Sequence, residues 1–374
     1  MNRRSLILSA AGITSALAQS TVAATKTRTA FIGVGNRGSY LLEGVLTQAD
    51  AAVVTAICDN QPDRLDKAAT AAKRDNPKTY TDWRRVIERT DIDAVYIATP
   101  PYLHAEMAVA ALKSGKHVYC EKPIGINPEQ VQAVVDAVRR NPRSTFTAGQ
   151  QLRSTRQMRD AMRRIHAGDI GDILMLKAQR HAVADLPYNG SSADWYYDVT
   201  KSGGYLIEQS VHNLDLCNWA MQAPPKRAVG FGSINLHKNE PTGRTIYDCG
   251  SMVFEYPGAV QMSFTQNVFH PRQMPAGGQY LHVFGSKATV DLMQNYTMYP
   301  QSPAASPGQP LAEKPDAGEH PHAHIAAFYD CLRNAQTNPA DIRIGATAAL
   351  TAILGHWAMS KERLVEWKEL GVTL

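Results

Sequence analysis

The stretch RTAFIGVGNRGSYLLEGVL, residues 28–46, begins as an apolar strand and continues with helical periodicity, with Gly33, Gly35 and Gly38 at the junction. The next apolar run, AVVTAICD, ends on Asp59, 21 residues after Gly38. Glycines at GxGxxG spacing between strand and helix, followed by an acid about 20 residues on, form a dinucleotide-binding pattern. Gly33 permits the tight turn, Gly35 lets the backbone approach a pyrophosphate, and Gly38 lets the helix pack on the strand. The helix opens at Asn36 and Arg37, where amide donors and the positive dipole end face phosphates. Asp59 is placed to accept from ribose hydroxyls, which favours NAD; Arg64 nearby leaves NADP open.

Outward from this stretch, strand and helix alternate. Helices are expected over Pro62–Lys73, Trp83–Arg89 and His104–Ser114, with strands at KTYTD, DAVYIATP and HVYCEKP. In INPEQVQAVVDAVRR, Asn127, Pro128 and Gln130 read as N-cap, N1 and N3 of a further helix. The strand TFTAGQQ closes the unit near residue 151. Six strands with intervening helices predict an α/β, doubly wound parallel sheet over 25–151. Beyond it, period-2 strands follow one another (ILMLKAQRHAV, RAVGFGSIN, DCGSMVFEY, AVQMSFTQNV, QYLHVFGSKATVDL), predicting an α+β domain over 152–374 on a mostly antiparallel sheet. A helix is expected over 204–221, an irregular Pro-rich loop over 300–321, and two terminal helices, 324–335 and 344–360, returning toward the first domain.

The chain of 374 residues is 44% hydrophobic and carries 39 basic against 34 acidic residues. Residues 1–24 read as a twin-arginine signal peptide: Arg3 and Arg4, a modestly apolar stretch, and small residues before Ala18 or Ala24. That implies export, to the periplasm or an equivalent space. Without Arg3 and Arg4 the balance is near neutral, and no Lys/Arg block interleaves with aromatics, which excludes a nucleic-acid groove. No later stretch is apolar enough to span a membrane. The five cysteines, 58, 120, 217, 249 and 331, show neither CxxC nor metal-type spacing, so buried thiols and no metal site are expected.

The stretch SGGYLIEQSVHNLD, residues 202–215, puts Glu208, His212 and Asp215 at i, i+4 and i+7, one face of a helix. Together with FIGVGNRG and DIDAVYIATPPYLHAEMAVAALKSGKHVYCEKPIG, it closely resembles the Gfo/Idh/MocA oxidoreductases, from about residue 27 to the C-terminal helices. The resemblance implies that Lys122 of Glu121-Lys122-Pro123 touches both substrate hydroxyl and nicotinamide ribose, that His212 is the catalytic histidine, and that Asp215 helps bind a polyol. Glu208 falls where many members have aspartate. Thr99, Pro100 and His104 lie where the family passes its chain near the nicotinamide. A homodimer or homotetramer is implied as well. Trp195 and Tyr196 are candidates for stacking on a sugar, or for core; Arg153 is a candidate to reach the active site, or solvent.

Oxidising a carbinol carbon requires the hydroxyl proton to leave with the hydride. His212, with an ordinary pKa near ~6.5, suits that proton; Lys122 would steady the oxygen, and Glu208 would orient sugar or imidazole. The expected function is an NAD(P)-dependent oxidoreductase acting on CH–OH groups of a sugar, cyclitol or glycoside. Export argues for a tightly held cofactor and redox-neutral cycling. The alternatives are an NAD-dependent glycoside hydrolase working by transient oxidation, elimination and re-reduction, and a noncatalytic sugar or nucleotide sensor.

Overall fold

The computed structural model describes residues 25–182, 193–274, 278–302, 307–312, 322–334 and 336–374; the expected leader, 1–24, lies outside them. In the first domain six strands, β1 (Thr27–Ile32), β2 (Ala52–Cys58), β3 (Lys78–Tyr80), β4 (Ala94–Ile97), β5 (His117–Cys120) and β6 (Phe146–Ala148), form one parallel sheet in the order β3-β2-β1-β4-β5-β6. The intervening helices are α1 (Asn36–Leu46), α2 (Pro62–Ala71), α3 (Trp83–Ile87), α4 (His104–Lys113) and α5 (Pro128–Arg140). This strand order creates a crevice beyond the carboxyl ends of β1 and β4, where the direction of winding reverses. At the start of α5, Asn127 Oδ1 accepts from the Gln130 amide (2.9 Å) while Gln130 Oε1 accepts from the Ile126 amide (2.9 Å), so the expected cap is present.

The second domain adds α6 (Arg156–His166), an amphipathic helix that the sequence reading did not single out. A nine-stranded sheet follows: β7 (Ile173–His181), β8 (Arg227–Ser233), β9 (Cys249–Glu255), β10 (Gln261–Asn267), β11 (Gln279–Gly285), β12 (Ala288–Asp291), β13 (Thr297–Pro300), β14 (Gln309–Pro310) and β15 (Val365–Glu366), ordered β14-β13-β12-β11-β7-β10-β9-β8-β15. It is antiparallel except for the central β7–β10 pair. Two expectations change here. QYLHVFGSKATVDL is not one strand but the hairpin β11–β12, and the expected loop contains β14, which pairs with β13.

Short helices α7 (Ala193–Tyr196) and α8 (Val199–Ser202) lead to α9 (Val211–Met221), which with α11 (Ile342–Ser360) covers one face of the sheet. The other face exposes Phe231 (70%), Val229, Val253 and Met175. Before α11, α10 (Ala323–Asn334) returns to the first domain: Ile325, Phe328 and Tyr329 are buried with Phe31, Leu41 and Tyr96. Tyr96 stacks between Phe31 and Tyr119, with ring centroids 4.9 and 4.8 Å away, and Phe328 meets it edge-on. The Tyr329 hydroxyl shares a hydrogen bond with Thr29 Oγ1, 300 positions earlier in the chain (3.0 Å). The five cysteines are unpaired.

Candidate active site between the domains

At the end of β1 the chain turns through Gly33, whose φ of +89° favours glycine. A Cβ there would stand 2.6 Å from the Ala98 carbonyl oxygen, and one on Gly38 would fall inside the Gly33 carbonyl. Both sites therefore require glycine on packing grounds. The N-cap of α1 is Gly35, no side chain caps it, and the first turn carries no acid. The amides around Asn36 thus remain for an anion. Asp59 Oδ2 accepts from the Val34 amide (2.9 Å) and Oδ1 from the Gln61 amide (3.0 Å), which fixes the carboxylate beside the glycine turn with acceptor capacity on each oxygen. The Arg64 guanidinium lies close to Gly35. A glycine cradle, an uncapped helix and an anchored acid together fit NAD.

Of the residues expected near the cofactor, Arg37, His104 and Glu121 are tied to neighbouring loops and side chains. The ring nitrogens of His104, 1% exposed, lie 2.7 Å from the Pro123 carbonyl and 2.8 Å from the Thr99 carbonyl. The imidazole thereby ties the loop after β4, with Thr99 and Pro100, to the loop after β5. Arg37 is engaged with the loops after β5 and β6: its Nε donates to Glu121 Oε1 (2.6 Å) and its Nη2 to Gln151 Oε1 (2.5 Å). Glu121 is buried and also accepts from the Lys122 amide (3.1 Å). Burial alone would raise the Glu121 carboxyl; the Arg37 and Lys122 charges and the hydrogen bonds outweigh it and hold it below the usual carboxylate range. The glycine turn and the lysine that follows Glu121 are therefore mechanically linked.

The substrate side depends on how the chain enters α9. Gly203 and Gly204 take φ of +77° and +86°, and residues Leu206–Ser210 wind as a π-turn before α-helix begins at Val211. Such wide turns occur mostly within helices and frequently at functional sites. Here the turn spreads neighbouring side chains in different directions. Glu208, 8% exposed, meets Lys122: Nζ donates to Glu208 Oε1 (3.1 Å) and to the Glu208 carbonyl. Gln209 donates to Glu208 Oε2 and accepts from Arg180 Nη2 (3.0 Å). His212 Nδ1 lies 3.2 Å from Gln150 Oε1. An amide oxygen only accepts, so with the Gln150 amide in this orientation the proton sits on Nδ1 and Nε2 keeps its lone pair. Burial, then the charges of Lys122, Arg180 and Arg37, push the His212 pKa well below its ordinary value. The imidazole is a neutral base at physiological pH.

The expected single face of Glu208, His212 and Asp215 is not formed. Asp215, 2% exposed, accepts a bidentate pair from Arg153, Nε at 2.8 Å and Nη2 at 2.9 Å, and the guanidinium lies over the Trp219 ring. Asp215 and Arg153 thus satisfy each other's buried charge. Tyr196, 1% exposed, belongs to a core cluster with Tyr205, Ile246 and Val268; Trp195 packs edge-on against it and stays partly exposed. Gln150, Gln209 and Arg180 escaped the sequence reading. No motif marked them; Gln150 lies two residues beyond β6. Among the described residues, no group of three or more His, Cys, Asp or Glu could hold a metal.

Two family profiles match the chain. Residues 27–148 match the oxidoreductase family with NAD-binding Rossmann fold known as GFO/IDH/MocA, and residues 158–291 match the C-terminal domain of the same family. Inositol 2-dehydrogenase of Salmonella typhimurium is 30% identical over 194 residues, 51% of this chain and 53% of that protein; the chain thus spans about half the length of that relative. A glycosyl hydrolase family 109 protein of Stenotrophomonas maltophilia is 33% identical over 215 residues, 53% of this chain and 46% of that protein. A levoglucosan dehydrogenase solved with NADH and levoglucosan superposes with a TM-score of 0.76 over 91% of this chain and 99% of its own, at 20% identity.

Proposed function

Because this chain belongs to the Gfo/Idh/MocA oxidoreductases, we propose that it oxidises a CH–OH carbon of a sugar, cyclitol or glycoside in the cleft where Lys122, Glu208 and His212 converge. The observation that carries this reading is the His212–Gln150 contact, which leaves a neutral Nε2 as proton acceptor beside a fixed ammonium. Bound NAD would supply the acceptance and return of hydride. The chain's own residues do the rest. The anchored Asp59 and the amides opening α1 would hold the cofactor. The Glu208 carboxylate and carbonyl aim Lys122 Nζ, whose remaining N–H steadies the substrate oxygen as negative charge grows on it. His212 Nε2 takes the hydroxyl proton.

A second reading shares this site. The family 109 relative matches at slightly higher identity than the inositol dehydrogenase, and Arg3 and Arg4 favour export to a periplasm-like space, away from a pool of free NAD. Transient oxidation, elimination and re-reduction would then give glycoside cleavage with no net redox change. Extensively dialysed protein is the test, followed by absorbance and fluorescence with sugars and aryl glycosides. Retained NAD that a sugar reduces only transiently, with product release, selects the closed cycle. Stoichiometric reduction of added NAD selects a conventional dehydrogenase. Protein that neither keeps nor binds NAD refutes both. We further propose self-association through the face carrying Val229, Phe231 and Val253; Phe231→Glu should shift the sedimentation of the protein to that of a monomer.

A further inference from the structure

Of the cations Arg37, Lys122, Arg153 and Arg180, three are matched by a carboxylate. Arg37 pairs with Glu121, Arg153 with Asp215, and Lys122 with Glu208. Arg180, at the end of β7, is the fourth. Among the described residues its partners are neutral: Nη1 donates to Gln279 Oε1 (2.7 Å), Nη2 donates to Gln209 Oε1 (3.0 Å), and the guanidinium also hydrogen-bonds the Tyr205 hydroxyl. The phenol of Tyr205 lies beside it. A half-buried guanidinium has lost part of its hydration, and neutral dipoles orient it without cancelling its charge. It has five N–H donors, more than these three neutral partners occupy.

Its position ties this charge to the reacting centre. Gln209 accepts from Arg180 and donates to Glu208, which in turn holds Lys122. Arg180 therefore stands one side chain beyond the pair that fixes the reacting hydroxyl, and its field is felt at His212. Building on the oxidoreductase reading of this site, we infer that Arg180 selects a substrate bearing an anionic group, a carboxylate or a phosphate ester, on a carbon other than the one oxidised. A planar guanidinium with free N–H groups meets either anion through charge-assisted hydrogen bonds. Gln209 and Gln279 hold the fork in place before substrate arrives, so little ordering is needed on binding.

The test uses full-length protein loaded with NADH. Dissociation constants for D-glucose, D-glucuronate and D-glucose 6-phosphate, and for D-galactose and D-galacturonate, are read from NADH fluorescence. At least one anionic sugar should bind about 10-fold or more tighter than its neutral parent. A preference for the uronates over the 6-phosphate identifies a carboxylate, and the reverse identifies a phosphate ester. Arg180→Gln should abolish the preference, while Arg180→Lys should keep part of it. NADH affinity is the control for folding of both variants. The inference is overturned if no anionic sugar outbinds its parent on the unmodified protein, or if the preference survives Arg180→Gln. Absence of NADH binding to the unmodified protein would overturn the oxidoreductase reading itself; NADH binding without anion preference overturns this inference alone.

Discussion

Two helices reach the cleft through glycines, and they do so differently. α1 follows a single left-handed glycine, winds as α-helix from its first residue and presents bare backbone amides. α9 follows two left-handed glycines, starts with a π-turn and presents side chains, each already engaged with a neighbour. The first rests on main chain and the Asp59 carboxylate, the second on side-chain pairing. Backbone sites tolerate changes in chemistry and fail on changes in shape; paired side-chain sites do the opposite.

The sharpest way to break that comparison is to mutate one residue on each side. Gly38→Ala pushes a methyl into the Gly33 carbonyl and should abolish NADH binding. His212→Asn should leave NADH affinity unchanged while kcat falls by about 10²- to 10⁴-fold. Equal loss of NADH binding in both variants would mean that the halves are not separate.

Asp215→Asn comes next. It strands the Arg153 guanidinium in the interior and should cost about 3–5 kcal/mol of stability in urea unfolding, with Arg153→Met and Asp215→Leu together recovering most of it. A raised KM with unchanged stability would restore Asp215 to the role of sugar ligand.

The smallest effects concern Gln150. Gln150→Leu removes the acceptor at His212 Nδ1 and should lower kcat on the order of 10-fold, the value of one hydrogen bond. Gln150→Glu puts a carboxylate there instead, which favours imidazolium. In the unmodified protein the His212 pKa lies well below its ordinary value, so the base form persists as pH falls and the acid limb of kcat/KM lies well under pH ~6.5. In Gln150→Glu that limb should move up toward neutrality. An unmoved limb would separate Gln150 from proton transfer.

These contrasts also explain what could be read from the sequence. The parallel sheet and its glycine turn were legible because their requirements are steric and local: Gly33 and Gly38 admit nothing larger, and Asp59 sits at the end of a strand recognisable by itself. The strands of the second domain were legible by period. What stayed hidden depended on geometry over long separations. Spacing alone aligned Asp215 with His212, yet the helix turns that carboxylate toward Arg153, 62 positions earlier. Arg37 sat in a phosphate-binding motif but answers to Glu121, 84 positions on. Gln150 had no motif at all, since its role exists only once β6 and α9 face each other.

The return of α10 bears on the order in which the protein can be made. A ribosome that has finished β6 has released all six strands of the first sheet, but not Ile325, Phe328 or Tyr329, which complete the core around Tyr96. Until the last fifth of the chain emerges, that half carries an open apolar seam of the kind chaperones recognise. The first core is therefore completed only when α10 is available.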